Sequence, residues 1–164
     1  MRLRLLALFL LLFNFAVAQD HDHSHDHNHN LDSHRHHLGL GLGAASLFAE
    51  NEIAPVVHLH YLYRVAPLSP VSIGLGFESI LDDHTHNTIS ALINYELIPR
   101  LSIVGGPGIT FAKEDGESHT AMSGHAEMIY EFTVGEFHLG PMIGFGFDKE
   151  ESHASLGVHI GFGF

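Results

Sequence analysis

The chain has 164 residues, with 19 Asp and Glu against 7 Lys and Arg, 17 histidines and no cysteine, which is enough for one ordinary domain. The missing cysteine excludes disulfides, thiolate metal sites and cysteine catalysis. The acidic balance repels phosphate backbones, so nucleic acid is not an expected partner, whereas cations are favoured.

Residues 1–18 read as a secretory signal. Arg2 and Arg4 give a basic start, 5–15 is an almost unbroken apolar run, and Ala16-Val17-Ala18 is a small-residue cleavage site. The run is shorter than the roughly twenty apolar residues of a spanning helix, which argues against an anchor. Removal of Arg2 and Arg4 takes the formal charge from −12 to −14.

Residues 19–37 form a low-complexity tail of His, Asp, Ser and Asn. It has too little apolar surface to offset the entropy of ordering, so disorder is expected. It holds eight histidines within seventeen residues, His21, His23, His25, His27, His29, His34, His36 and His37, interleaved with Asp22, Asp26 and Asp32. Neutral imidazole and carboxylate are ligands for zinc, copper and nickel. The spacing fixes neither a single site nor the metal, although zinc comes first; the plainer alternative is a solvated spacer that binds metal incidentally.

From residue 38 to 164 the pattern becomes period-two alternation, with no helical period. Eight strands are predicted, at 38–48, 53–65, 71–81, 85–97, 101–112, 119–132, 136–147 and 153–164. They are long enough for tilted membrane strands, which need about nine to eleven residues, and longer than the five or six of ordinary strands.

One face is apolar throughout. In the last strand Ala154, Leu156, Val158, Ile160, Phe162 and Phe164 oppose His153, Ser155, Gly157, His159, Gly161 and Gly163; in the second, Val57, Leu59, Tyr61 and Tyr63 oppose His58, His60 and Arg64. The opposite face is mainly glycine, small residues, histidine and glutamate, poor in the Lys, Arg and Thr of a solvent surface. A narrow lumen accounts for that composition, because eight strands leave room for side chains and little else, and lipid then meets the apolar side. Connections at 66–70, 98–100 and 133–135 are short, while those at 49–52, 82–84, 113–118 and 148–152 are acidic. This alternation predicts tight periplasmic turns, polar external loops and both termini in the periplasm. Gly105-Gly106-Pro107-Gly108 follows no phosphate-loop pattern and reads as a bend in a strand.

The apolar alternating final strand and the terminal Phe162-Gly163-Phe164 resemble the assembly signal of bacterial outer-membrane proteins. The segment 38–164 resembles their small eight-stranded barrels. The resemblance implies an all-β fold, an eight-stranded antiparallel up-and-down transmembrane barrel, monomeric, in an outer membrane. It carries no active-site motif.

Two constellations are expected inside. His84, His86, His119 and His153 stand beside acidic loops containing Asp82, Asp83, Glu114, Asp115, Glu117, Glu150 and Glu151, and could form a cation-collecting outer mouth. His58, His125 and His159, with Glu127, fall nearer mid-depth. The competing reading is a packed polar core in which Arg64 pairs glutamates such as Glu78, Glu96, Glu127, Glu131 and Glu136, because buried charges must be paired. His153-Ala154-Ser155 has the His/Ser spacing of lipid A deacylase barrels, but both side chains are predicted to point inward and no acidic residue follows. The expected function is therefore non-enzymatic: binding of a divalent transition metal, zinc before copper or nickel, at the cell envelope, for buffering or hand-over to an envelope transporter. The alternative is a structural barrel with an incidental tail. Proton competition should weaken uptake on acidification.

Overall fold

Alternating apolar and small residues over ten or more positions form a strand whose two faces meet different media, and here every strand of the wall does so. The computed structural model describes residues 34–82, 86–114, 117–149 and 151–164. The signal and residues 19–33 of the tail lie outside the described residues.

The elements are β1 (His36–Leu47), β2 (Glu52–Arg64), β3 (Val71–Ile80), β4 (His86–Ile98), β5 (Leu101–Glu114), β6 (Glu117–Tyr130), β7 (Phe132–Val134), β8 (Phe137–Phe147) and β9 (Ser152–Gly163). Each pairs antiparallel with its neighbours, and β1 pairs with β9, so the sheet closes. Both β6 and β7 pair with β8 and are parts of one stave interrupted at Glu131, so the nine segments build an eight-stave barrel. Closure leaves no free edge, and in lipid it satisfies the backbone donors and acceptors.

Several boundaries differ from the sequence reading, among them the acidic connection expected at 113–118, where Lys113 pairs with Ser118 and Glu114 with Glu117. His36 and His37, assigned to the tail, are strand residues paired with Tyr63 and Leu62. The sixth predicted strand breaks at Glu131. The turn predicted at 133–135 is a two-residue connection, Gly135-Glu136, between the paired residues Val134 and Phe137. Glu136, predicted to face the lumen, is therefore an exposed turn residue. The Gly105-Gly106-Pro107-Gly108 run lies within β5, where pairing with β4 skips Gly106 and Pro107.

The outer surface is an apolar belt. Leu75 is 63% exposed, Ile93 61%, Ile143 52% and Leu156 49%. A continuous band of this kind, facing out from every stave, is a lipid-facing surface. β1 begins and β9 ends at one rim, here the terminal rim; the other is the loop rim. All four tyrosines, Tyr61, Tyr63, Tyr95 and Tyr130, stand in the terminal-rim ends of β2, β4 and β6. Amphipathic rings at that level form an interfacial girdle.

The lumen contains more grease than the sequence suggested. Ala45, Leu47, Ala54, Val56 and Ile80 form one buried apolar cluster towards the loop rim. Leu62, Leu92, Val104, Ile129 and Met142 form a second towards the terminal rim. They fill space that a wide pore would leave to water, consistent with a barrel of this size. Polar side chains run past them.

Candidate metal-binding lumen

Cross-strand register determines which inward residues meet. On β1, Gly39 pairs with His60 of β2 and Gly161 of β9, and Gly41 pairs with His58 and His159. On β8, Gly144 pairs with Glu127 of β6 and Ser155 of β9, and Gly146 pairs with His125 and His153. Glycine staves thus flank histidine staves, and the missing side chains leave space for the rings. A Cβ at Gly39 would collide with the His60 and His159 imidazoles, and one at Gly146 with that of His153.

The result is a column of imidazoles and carboxylates. His37, His60 and His159 converge near the terminal rim; His58, His125 and Glu127 lie deeper; Glu78, His125 and His153 lie towards the loop rim, with ligand atoms in each triad within 4.8 Å of one another. His58 Nδ1 and Glu127 Oε1 are 2.5 Å apart. His125 Nδ1 is 3.5 Å from Glu78, and its Nε2 is 3.3 Å from Glu127. His153 Nε2 is 3.3 Å from the other Glu78 oxygen, and His159 Nδ1 is 3.2 Å from Glu131. Ring centroids follow at 5.0 Å for His58–His125, 5.3 Å for His58–His60 and 5.1 Å for His60–His159.

Most of these groups are fully enclosed. His58 is 2% exposed, His60 3%, Glu127 2% and His159 1%. Several nonetheless lack a well-aligned hydrogen bond: His60 Nε2, both ring nitrogens of His125 and of His159, His153 Nε2, Glu78 Oε2 and Glu127 Oε2. The His125 and His153 nitrogens, His159 Nδ1 and Glu78 Oε2 keep the ion-pair contacts at 3.2–3.5 Å given above, while His60 Nε2, His159 Nε2 and Glu127 Oε2 have no such contact among the described residues; buried polar atoms are rarely left so, and an unpaired one costs about 1–3 kcal/mol. Arginine offers little relief. Arg64 sits at the terminal rim, donating to the Ser69 carbonyl at 3.1 Å and standing 3.9 Å from Glu96.

A cavity of about 110 Å³ opens at the terminal rim, its wall including His34, His60, Arg64, Glu131, His138 and His159. A smaller one, about 20 Å³, lies at the loop end beside Glu78, His86, His125, Glu151 and His153.

Of the tail residues, His21, His23, His25, His27 and His29 lie outside the described residues. His34 lines the terminal cavity and His37 joins a triad. His36 does not; it faces outward, its Nδ1 is 2.6 Å from the Tyr61 hydroxyl and its ring stacks on Phe164 at 5.3 Å. One position of strand parity separates it from His37.

Part of the expected mouth gathers among the described residues: His86, His153 and Glu151 line the loop-end cavity. His84 lies outside the described residues. His86 pairs with Asp82 at 2.8 Å, His119 is exposed, and His153 turns inward to Glu78. Glu151 clamps a loop, its Oε1 accepting from the Phe48, Ala49 and Ser152 amides. The inner set divides: His58, His125 and Glu127 meet as expected, while His159 lies one layer away with His37 and His60. Sequence reasoning did not select His60 or Glu78 as ligands. His60 is two residues from His58 on the same face, a signal that was present; Glu78 becomes visible only when register sets it against His58. His153 and Ser155 are both buried inside, away from the lipid face.

No protein-family model matches the chain, and no curated protein does. Solved structures do. Neisserial surface protein A aligns with TM-score 0.60 and 8% identity, over 79% of this chain and 97% of that one. The N-terminal β-barrel domain of Pseudomonas aeruginosa OprF aligns with TM-score 0.52 and 16% identity, over 77% and 97%. Ail, the attachment invasion locus protein of Yersinia pestis, aligns with TM-score 0.51 and 13% identity, over 79% and 97%. At these identities the likeness shows the fold: the chain has the architecture of small eight-stranded outer-membrane barrels.

Proposed function

We propose that this protein is a monomeric, non-enzymatic barrel of a bacterial outer membrane that binds a divalent transition metal ion at the cell envelope. Zinc is the first candidate, with copper and nickel chemically compatible. The role would be to buffer the ion or to hand it to an envelope transporter, and the histidine tail, on the periplasmic side, would add capacity. One observation carries the reading: buried ring nitrogens and carboxylate oxygens converge in the lumen without aligned partners. A divalent cation satisfies both atom types at once and neutralises Glu78 and Glu127, whose ion-pair partners among the described residues are histidines.

The triads are looser than a loaded site. Metal–ligand bonds of about 2.0–2.2 Å place tetrahedral ligand atoms roughly 3.4 Å apart, so ligand atoms up to 4.8 Å apart would close by as much as about 1.4 Å. Zinc calorimetry tests the proposal on the full-length protein and on a version lacking residues 19–33, at about pH 7.5 and about pH 5.5, either side of the ordinary imidazole pKa near 6.5. The shortened protein should keep at least one site and lose affinity at the acidic pH, because protons compete for the ligands. A shortened protein that binds no zinc would remove the lumen from the proposal, and a full-length protein that binds none would leave a structural barrel.

A further inference from the structure

We propose that the lumen ligands form a transit path along which a divalent transition metal ion crosses the barrel by ligand exchange; this rests on the metal-binding reading above and goes beyond it. The inference starts from His125. It belongs to two triads, and its two ring nitrogens face different ones: Nδ1 towards Glu78 and Nε2 towards Glu127. A ligand with one nitrogen in each of two adjacent sites is a natural exchange point, since an ion in one site can gain its next ligand before losing the last.

The path extends both ways from there. Towards the terminal rim, His58 stands edge-on to both His125 and His60, with centroids 5.0 and 5.3 Å apart. His60 then stacks with His37 at 5.6 Å and with His159 at 5.1 Å. The last triad lies where the 110 Å³ cavity opens. Towards the loop rim, Glu78 and His153 border the second cavity, which also touches His86 and Glu151. Between His125 and the terminal-rim triad, no step between neighbouring rings exceeds 5.6 Å.

Charge favours cation entry at the loop rim, whereas the wall of the terminal cavity also carries Arg35, Arg64 and Arg100, so an ion leaving there is held by the His37, His60 and His159 imidazoles and Glu131 against three guanidinium groups. Glu52, Asp82, Asp148 and Glu151 stand at the loop rim, Asp82 paired with His86 and Glu151 and Asp148 accepting backbone hydrogen bonds, and their net negative charge favours cations there. The two apolar clusters occupy part of the bore, which among the described residues narrows the space left for unselective diffusion. The loop-end cavity, about 20 Å³, is on the scale of a single water, so an ion must exchange hydration for protein ligands to pass. Ions held mainly by oxygen and reluctant to dehydrate, such as magnesium, are poorly served by imidazole.

The test uses full-length protein in phosphatidylcholine vesicles that enclose a zinc-sensitive dye. External zinc chloride should give a saturable dye response, and magnesium should not pass. His125→Gln should slow zinc entry about tenfold or more, yet still bind zinc through His37, His60 and His159 in calorimetry and run as a folded barrel on unheated gels. Should that variant fail to fold, Glu78→Gln removes only the loop-side carboxylate and should also slow entry. Zinc bound but not carried overturns the transit path and leaves the binding reading standing, whereas zinc neither bound nor carried overturns both. Wild-type rates in folded His125→Gln, or equal passage of zinc, magnesium and a small neutral sugar, also overturn the path.

Discussion

At the scale of single residues, the lumen depends on glycine as much as on histidine. Gly39 is buried, and the space its side chain would fill is occupied by the ends of the His60 and His159 rings. Gly39→Val should displace both rings and weaken zinc binding by the terminal-rim triad, with the barrel still forming. Calorimetry on a variant lacking residues 19–33 would measure this, and unchanged affinity would show that the triad is not a ligand set. Much of this was legible in the sequence. The alternation of His58, His60 and Arg64 with Val57, Leu59 and Tyr61 placed the histidines inside. Alternation gives the face but not the height, because height follows from the offset between paired strands. Hence His159 was grouped with His58, although it meets His37 and His60 one layer away. The parity of His36 is hidden for a related reason: it lies at the start of β1, where the preceding polar run gives no alternation to read.

At the scale of elements, strand number, order and length were legible because each stave carries its own apolar face and its own turn chemistry. What the pattern did not show was the interruption at Glu131. Apolar residues continue on both sides of it, and the break appears only in the pairing of β6 and β7 with β8. The β7–β8 turn depends on Gly135, whose φ is +65° and whose missing Cβ would meet nothing within 4 Å. Gly135→Ala therefore isolates the backbone cost of a left-handed conformation, expected to be about 1 kcal/mol. Urea unfolding in lipid vesicles should show a lower midpoint with an unchanged slope. An unchanged midpoint would mean that the turn relaxes freely.

At the scale of the whole molecule, the belt and the column are two consequences of one closure: grease faces lipid, and ionisable groups are confined to a narrow interior. The apolar clusters inside the lumen were not foreseen, since Leu62, Leu92, Val104 and Ile129 occupy inward positions in strands whose outward faces are also apolar. Leu75 lies halfway along β3 on the outer face, 63% exposed. Leu75→Arg should cost about 2–4 kcal/mol if it lies near the bilayer midplane, read as lost stability in vesicles; a neutral effect would argue against a lipid-facing belt. The central claim, that the interior is built to hold a transition metal, is tested most directly by zinc X-ray absorption on protein lacking residues 19–33, loaded with one equivalent. The account predicts a first shell at about 2.0–2.1 Å with at least two imidazoles. A shell of water oxygens alone would contradict it.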